Sequence, residues 1–218
     1  GDSVTVTSVV PIRAGYTFGG WIDQSGGAHA TSSTYTISGT NYLLYAVWNP
    51  IAYTVTYALN GGQGTAPTES SKNVNQSFTV ATAATKTGSS FAGWSDGTTV
   101  YGAGSSYLVE TANITLTAQW TANSYAITYD LAQGTSSVPS ALSKAYQASW
   151  TLPDAPTRVG YNFSDWYDGT NGYAAGASYT LGTASDLTIT ARWSAIVYYT
   201  VTYDLDGGLG TAPTQDPL

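Results

Sequence analysis

Short segments in which hydrophobic and polar residues alternate recur along the whole chain. The clearest runs from Tyr53 to Leu59, where Tyr, Val, Tyr and Leu alternate with Thr and Ala. Such alternation predicts a half-buried β-strand, because successive side chains of a strand point to opposite faces. A similar segment from Ile114 to Trp120 predicts a second long strand. No segment keeps helical periodicity over three turns, and frequent Thr and Gly disfavour long helices, so we expect a mostly β protein.

Shorter strands fill the stretch between these two segments. We predict strands from Ser77 to Val80 and from Phe91 to Trp94, with Thr99 to Tyr101 pairing back as a short strand. Residues that favour turns separate the strands, at 60–62, 86–88 and 96–97. Together these elements predict one small β unit.

This unit is repeated at a spacing of roughly 72 residues. A Trp that follows Gly or Asp marks each copy, at Trp21, Trp94 and Trp166. A second Trp ends the last strand of each copy, at Trp48, Trp120 and Trp193. The alternating first strand returns at Tyr125 to Leu131 and at Tyr199 to Leu205. The predicted domains are repeat 1 at 1–50, repeat 2 at 51–122, repeat 3 at 123–195 and the start of a fourth repeat at 196–218.

The repeats are joined by short linkers, at 49–52 and 121–124, which are too short for free swinging. We therefore expect a semi-rigid, elongated rod. Repeat 1 begins at its second strand, with Val4 and Val6, whereas 196–218 supplies only a first strand and its loop. Either the true module is cyclically shifted, or the two ends are unpaired edges that favour head-to-tail self-association between molecules.

Composition and charge exclude several classes of partner. The net charge is −7, and the six Lys and Arg residues are scattered, so no basic stripe is present for nucleic acid or an anionic membrane surface. No run of 18 apolar residues is present, so we expect no membrane insertion. Cys is absent and only 9% of residues are charged, a composition common in extracellular repeat proteins. We expect a fragment whose targeting signals lie outside it.

No group of residues predicts catalysis, a cofactor or a metal. His29 is the only His and lies in a Gly-rich segment, so we interpret it as a surface loop residue. Asp204 and Asp206 resemble the start of a calcium loop, but the liganding Glu expected at its twelfth position is missing. We therefore predict a turn there, and no enzyme activity, since no nucleophile–base arrangement is present.

Two sets of charged residues recur at matching places. Asp23, Asp96 and Asp168 each follow the first Trp of their repeat by two residues. Arg13, Lys86 and Arg158 each precede a Gly by two residues. Their recurrence predicts a structural role in each repeat, such as one ion pair between neighbouring segments. Lys72 and Lys144 also match in position, as do Asn41, Asn113 and Asp186, but no buried acid for a Lys–Asn isopeptide bond is identifiable.

Aromatic residues offer the main alternative to a purely structural role. Six of the seven Trp lie at repeated core positions, and Trp150 takes the place of Phe78 in a strand. Six Tyr are less easily assigned to the core and are the candidate ligand contacts: Tyr42, Tyr45, Tyr101, Tyr167, Tyr173 and Tyr198. If these Tyr residues lie exposed on one face in every repeat, they would form a patch that binds host glycans or surface proteins.

Three motifs make the chain similar to a known family. They are Gly15-Tyr-Thr-Phe-Gly-Gly-Trp21, Leu44-Tyr-Ala-Val-Trp48 and Tyr199-Thr-Val-Thr-Tyr-Asp204. They resemble the Listeria–Bacteroides repeat, which includes the B-repeat of internalin-type surface proteins. Repeat 2 departs from the pattern at Ala58 and at Ser89-Ser90, and repeat 3 departs at Asp165.

The resemblance implies small β-grasp-like modules in tandem, common in bacterial surface and secreted proteins. It therefore implies an extracellular or cell-surface location and a role as stalk or adhesion accessory, without a known ligand. We expect a spacer that projects another domain from the cell. The alternative is an adhesive module in which repetition raises avidity. A hydrolytic appendage is a third class, which the absence of a recognisable site opposes.

Overall fold

The computed structural model describes residues 1–37, 39 and 41–214. The last part of the predicted fourth repeat, 215–218, lies outside the described residues. Across the described residues the regular structure consists of strands and contains no helix, which confirms the mostly β prediction. The chain divides into two compact units, Gly1–Thr121 and Ala122–Leu218.

Repeat 1 contributes five strands to the first unit. They are β1 (Asp2–Thr5), β2 (Tyr16–Asp23), β3 (Ala28–His29), β4 (Thr34–Ile37) and β5 (Leu44–Pro50). β1 pairs antiparallel with β4, and the other three form an antiparallel sheet in the order β3-β2-β5. Among the described residues, β5 therefore has a strand neighbour on one edge only, the edge that faces β2.

Repeat 2 completes the first unit with eight strands. They are β6 (Ala52–Tyr53), β7 (Val55–Ala58), β8 (Lys72–Asn73), β9 (Ser77–Thr79), β10 (Ser89–Ser95), β11 (Val100–Tyr101), β12 (Ser106–Leu108) and β13 (Ile114–Ala122). The main sheet has the order β11-β10-β13-β7, in which the first and last long strands, β7 and β13, are parallel neighbours. β6 pairs with β8, and β9 pairs with β12.

Repeat 3 forms the same arrangement in the second unit. Its strands are β14 (Ser124–Asp130), β15 (Leu142–Ala145), β16 (Ser149–Thr151), β17 (Tyr161–Tyr167), β18 (Gly172–Tyr173), β19 (Ser178–Thr180) and β20 (Leu187–Ala195). The sheet has the order β15-β14-β20-β17-β18, with β14 parallel to β20, and β16 pairs with β19. The more specific prediction, β-grasp-like modules in a rod, stays a prediction.

Each complete repeat buries a core between its sheet and its separate strand pair. Trp94 in repeat 2 and Trp166 in repeat 3 are fully buried. Their indole N–H groups donate to the backbone carbonyls of Ala81 and Pro153, at 3.2 and 3.0 Å. A buried indole needs such a partner, because an unpaired buried donor costs about 1–3 kcal/mol.

The predicted long strands agree with the structure, whereas several short ones were not predicted. β8, β12, β15 and β19 have two to four residues each, too few for an alternating pattern to be recognised. The segment from Tyr199 to Leu205, predicted as a strand, contains none in the structure. In repeats 2 and 3 the equivalent segment pairs with the last strand of its own repeat, and no such strand follows Leu205 within the described residues.

The linker between repeats 1 and 2 is fixed by hydrogen bonds on both sides. The Ile51 N–H donates to the Gly15 carbonyl of repeat 1 at 2.8 Å, and the Ile51 carbonyl accepts from the Val74 N–H of repeat 2 at 3.2 Å. In the second unit, the Ile196 N–H likewise donates to the Gly160 carbonyl at 2.9 Å. The hydrogen bond from the linker back to its preceding repeat is therefore the same after repeat 1 and after repeat 3.

Candidate functional site

A carboxylate at the end of one strand meets two aromatic rings from other strands in repeat 2. Asp96 follows β10, Tyr101 belongs to β11 and Tyr107 belongs to β12. Both Tyr hydroxyls donate to Asp96 Oδ2, at 3.2 and 3.4 Å, and the ring centroids lie 4.8 Å apart. Asp96 Oδ1 accepts the backbone N–H groups of Thr98 and Thr99, at 2.9 and 2.8 Å. One side chain thus holds both a tight turn and two rings.

Repeat 3 contains the same cluster. The hydroxyls of Tyr173 and Tyr179 donate to Asp168 Oδ2 at 3.2 and 3.0 Å, and Oδ1 accepts from the backbone of Thr170 and Asn171. The two Tyr rings lie 4.9 Å apart, nearly perpendicular to each other. The cluster is therefore a property of the repeat unit.

Repeat 1 builds the cluster with His29 in place of the first Tyr. His29 Nε2 lies 2.9 Å from Asp23 Oδ2, and its ring centroid lies 4.4 Å from that of Tyr35. Asp23 Oδ1 accepts from the backbone of Ser25 and Gly27. The interpretation of His29 as a surface loop residue was wrong, since it lies in β3 and is half-buried against its partner. Its position after Trp21, close to that of Tyr101 after Trp94, is the sequence signal that was missed.

The hydrogen bonds shift the titration of the cluster. Backbone N–H donation from Thr99 and Thr98 holds the pKa of Asp96 well below its usual range. Burial, and then the negative charge of Asp96, raises the pKa of Tyr107 to about 12. In repeat 3, burial raises the pKa of Asp168, but donation from Asn171 and Thr170 outweighs it, so the net pKa is lowered. The carboxylates are charged at neutral pH and the phenols are neutral donors.

The suggested ion pair between the recurring Asp and basic residues was wrong. The Arg13 guanidinium lies 4.0 Å from the centroid of the Tyr16 ring, and Arg158 lies 3.9 Å from that of Tyr161. Lys86 Nζ donates to the Asn60 carbonyl at 3.4 Å. The basic residues therefore stack on rings or bind backbone, while the carboxylates hold turns.

Three of the six candidate Tyr have internal partners. Tyr101 and Tyr173 occupy the same position of repeats 2 and 3, within the carboxylate clusters. The Tyr167 hydroxyl donates to the Gly169 carbonyl at 2.7 Å, and the Arg192 guanidinium lies 4.4 Å from its ring centroid. These contacts give the three side chains structural roles.

The other three candidate Tyr are more exposed. Tyr42 is 44% exposed, Tyr45 is 52% exposed and Tyr198 is 61% exposed. The Tyr42 ring lies 5.2 Å from that of Tyr35, and Tyr45 lies on β5 opposite Ile22. The equivalents of Tyr42 and Tyr45 in repeat 2 are Ile114 and Thr117, so the exposed rings are not repeated. Ligand contact by the six Tyr stays a prediction.

The described residues are not arranged for an isopeptide bond or for a metal site. Lys72 Nζ lies 2.8 Å from Glu69 Oε1, whereas the Asn113 side chain accepts from the Thr54 N–H at 2.9 Å, so the two are engaged separately. Within the described ranges, no group of three His, Cys, Asp or Glu is placed to hold a metal ion. No helix in this part of the chain is long and apolar enough to cross a bilayer.

An open hollow of about 760 Å³ lies beside β2 and β3 of repeat 1. The side chains that line it include Phe18, Trp21, Ile22, His29 and Val47. Its lining is largely apolar and aromatic.

Comparison with known proteins agrees with the repeat pattern. A family model described as the Listeria-Bacteroides repeat domain matches residues 1–47, 53–119 and 125–192. Internalin H of Listeria monocytogenes serovar 1/2a is 35% identical over 126 residues, covering 56% of this chain and 21% of internalin H.

Two proteins of Evansella cellulosilytica are also similar. One, proposed by its name to be a Gly-rich membrane protein, is 29% identical over 203 residues, covering 90% of this chain and 23% of that protein. The other, proposed to be a membrane protein, is 33% identical over 167 residues, covering 76% of this chain and 24% of its own length. The chain thus spans less than a quarter of each relative. Because the family model matches three consecutive stretches that include most of the sequence, the chain belongs to the Listeria-Bacteroides repeat family.

Proposed function

We propose that this chain is a repeat stalk of a bacterial cell-surface or secreted protein, and that it acts as a spacer. It would project other domains of a longer protein away from the cell. Two findings support this: three tandem copies of one β module, and similarity to internalin H and to proteins named for a membrane location. In the clusters at Asp96 and Asp168, the carboxylates accept hydrogen bonds from their own repeat, as expected of structural modules.

The observation that carries the proposal is the fixed linker at Ile51. Its N–H and carbonyl are bound to Gly15 in repeat 1 and to Val74 in repeat 2. Gly15 has φ +76°, and a Cβ there would lie 2.5 Å from the Val74 side chain, so the two repeats approach closely at this point. A linker bound on both sides resists bending, because bending must break a hydrogen bond or separate packed atoms.

Small-angle X-ray scattering of the 218-residue chain tests the spacer. A compact globule of this length would have a radius of gyration of about 17 Å. We expect a clearly larger radius and a pair-distance distribution with a long tail. A radius near the compact value would contradict the proposal.

A variant at the linker sharpens this test. Gly15→Val should loosen the linker, because the new side chain would overlap Val74 and strain a positive φ. Its scattering should show a broader range of lengths than that of the wild type. Gly102→Ala is the matched control, since a Cβ at that position would meet no atom within 4 Å and its φ is not positive.

A second candidate function is adhesion to host glycans or surface proteins. The hollow beside Trp21 and Phe18 supports it, because aromatic rings are common stacking surfaces for sugars. Binding to immobilised glycans, mucins and matrix proteins measures it directly. A specific signal would favour adhesion. Because Tyr45 does not line the hollow, loss of that signal in Tyr45→Ala, with folding unchanged, would assign it to the exposed Tyr, and its persistence would point to the hollow. Silence across the panel favours the spacer.

A further inference from the structure

The turn between β17 and β18 of repeat 3 ends in the dipeptide Asn171-Gly172. The Asp168 N–H donates to the Asn171 carbonyl at 3.1 Å, and the Asn171 N–H donates to Asp168 Oδ1 at 2.7 Å. Both Asn171 and Gly172 are nevertheless exposed. The backbone of Asn171 therefore closes the turn, while the residue stays accessible to water.

Repeat 3 needs Gly at position 172. A Cβ there would overlap Arg192 Nη2 and would lie 2.7 Å from the Asp165 carboxylate. Asp165 binds Arg192 through two hydrogen bonds of 2.7 Å, so these side chains are not free to move aside. Repeat 2 has Thr99-Val100 at the equivalent place and no such ion pair. The Asn-Gly dipeptide of this turn is therefore tied to the Asp165–Arg192 pair.

The backbone N–H of Gly172 is left out of the strand ladder. Asp168 and Asn171 form a hydrogen-bonded pair, and such pairs alternate with non-hydrogen-bonded ones along antiparallel strands. The next pair, Tyr167 and Gly172, is thus non-hydrogen-bonded, so the Gly172 N–H points away from β17. β18 is the last strand of its sheet, and no other strand flanks it in the described part of the chain. This N–H therefore faces an open edge, with no side chain of its own to shield it.

Asn60-Gly61 is the other Asn-Gly dipeptide of the chain, and its environment differs. The Asn60 side-chain amide donates to the Ala118 carbonyl at 3.0 Å, which ties the end of the first strand to the last strand of repeat 2. To reach the Gly61 nitrogen, this side chain must first give up that hydrogen bond. The Asn171 side chain lies instead beside the hydroxyl of the half-buried Tyr173, next to it on the exposed edge.

We propose that Asn171 is a site of spontaneous deamidation. The Gly172 nitrogen loses its proton and attacks Asn171 Cγ, which forms a new C–N bond and a succinimide ring. The side-chain amide nitrogen leaves as ammonia and takes up the proton that Gly172 gave. Water then opens the ring: cleavage at Cγ gives Asp, and cleavage at the former backbone carbonyl gives isoaspartate, whose chain continues through the side-chain carbon. The step needs only water, and the proposal does not depend on the spacer role.

Either product disturbs the Asp168 cluster. Asp at position 171 brings a second negative charge next to the Asp168 carboxylate, and like charges at close range repel. Isoaspartate adds a backbone atom to the turn that Asp168 holds. Because Asp168 also accepts from Tyr173 and Tyr179 at 3.2 and 3.0 Å, the change loosens the whole cluster. Repeat 2, with Thr99 at the equivalent position, is unaffected.

Peptide mass spectrometry after incubation of the 218-residue chain at mildly alkaline pH tests the site. We expect Asn171 to convert about fivefold faster than Asn60, because Asn60 must first break one hydrogen bond. In concentrated urea both should convert at similar rates, since each is followed by Gly. Equal rates in the folded chain, or an Asn171 that converts in urea but not in the folded chain, would overturn the proposal.

Asn171→Thr is the matched variant, because Thr99 of repeat 2 makes the same backbone hydrogen bond to its carboxylate. Hydrogen exchange of β17 and β18 compares the two proteins before and after incubation. Exchange should become faster in the incubated wild type and should stay constant in Asn171→Thr. The same change in both proteins would overturn the effect on the cluster. Scattering from freshly purified protein tests the spacer separately.

Discussion

In each repeat, one Asp at the end of the Trp-bearing strand holds a turn. It accepts from two Tyr hydroxyls in repeats 2 and 3, and lies beside the His29 ring in repeat 1. The three versions use Asp23, Asp96 and Asp168, with the second ring always a Tyr. A charged acceptor that receives several hydrogen bonds is worth more than a neutral one, because bonds to charged groups contribute about 1.5–3 kcal/mol. The half-exposed position allows the carboxylate to remain charged without the full cost of burial.

Replacement of this carboxylate should weaken the repeat in a pH-dependent way. The pKa of Asp96 is lowered in the folded state, so its stabilisation is fully present above the unfolded pKa of about 4 and is lost as the pH falls towards the folded pKa. At pH 7 we expect Asp96→Asn to lower the free energy of unfolding by about 1–3 kcal/mol. The difference from the wild type should shrink below pH 4.

Urea denaturation at a series of pH values measures this difference. The exposed Asp154 gives the matched control, and Asp154→Asn should change the free energy of unfolding by less than about 0.5 kcal/mol. An Asp96→Asn effect that is constant down to pH 2 would show that the charge is not what stabilises the turn.

At the scale of the element, repeats 2 and 3 place the larger side chain of one cross-strand pair on opposite strands. In repeat 2, a Cβ on Gly93 would lie 2.5 Å from the Val100 side chain. In repeat 3 the equivalent of Gly93 is Asp165, and Gly172 stands where Val100 would be. Asp165 binds Arg192 through two hydrogen bonds of 2.7 Å, across the space that a larger residue at Gly172 would fill. The Asp165 that replaces Gly in the Gly-Trp motif of repeat 3 is therefore accommodated by Gly172 on the neighbouring strand.

A single substitution at this pair should be costly. Gly93→Ala places a methyl group against Val100 and the Tyr101 carbonyl, at a φ of +144° that side chains rarely adopt. We expect the free energy of unfolding to fall by about 1–3 kcal/mol, as for other overpacked sites. Gly102→Ala, with open space around it, should be nearly neutral in the same thermal or urea denaturation.

The same pair offers a rescue experiment. Gly93→Asp should be at least as damaging as Gly93→Ala in the wild-type background. Combining it with Val100→Gly and Gln119→Arg recreates the set found in repeat 3 and should recover part of the loss. If the changes in the free energy of unfolding of the three single variants simply add in the triple variant, the proposed compensation between the two strands would be contradicted.

The elements that could be predicted from sequence are those with a long alternating pattern. β7 and β13 were predicted because five or more residues alternate, and the repeat of Trp94 and Trp120 fixed their place in the unit. β8 and β12 were not, because two or three residues carry no periodicity, whereas the equally short β11 was predicted from the turn signal at 96–97 that precedes it. The Asp96 cluster was missed because its members come from three strands, and hydrogen bonds between strands leave no trace in a local pattern.

At the scale of the molecule, the three repeats share one structural arrangement, while individual positions differ between them. The Asp-centred cluster occurs in all three repeats, while His29 and Asp165 are substitutions confined to one repeat each. The exposed Tyr42 and Tyr45 occur once, so they add no avidity through repetition. A structural cluster that is repeated, together with exposed Tyr that are not, agrees with the proposed spacer role, because the repeats of a spacer need the same structure and no shared ligand.

The parallel pairing of the first and last strands has a consequence under tension. In repeat 2 the chain enters at the start of β7 and leaves at the end of β13, and the two strands run side by side in the same direction. A pull on the two ends therefore slides the strands past each other and loads their hydrogen bonds together, whereas unzipping would load them one at a time. Repeat 3 has the same geometry through β14 and β20.

Stretching single molecules should show this as two high-force unfolding events. Thr56→Pro removes a backbone donor from β7 and should lower the force of one event. The unchanged repeat 3 serves as an internal reference within the same molecule. Equal forces for both repeats in the variant would contradict the assignment. A stalk built this way would stay folded under the drag that flowing liquid exerts on a cell attached through it.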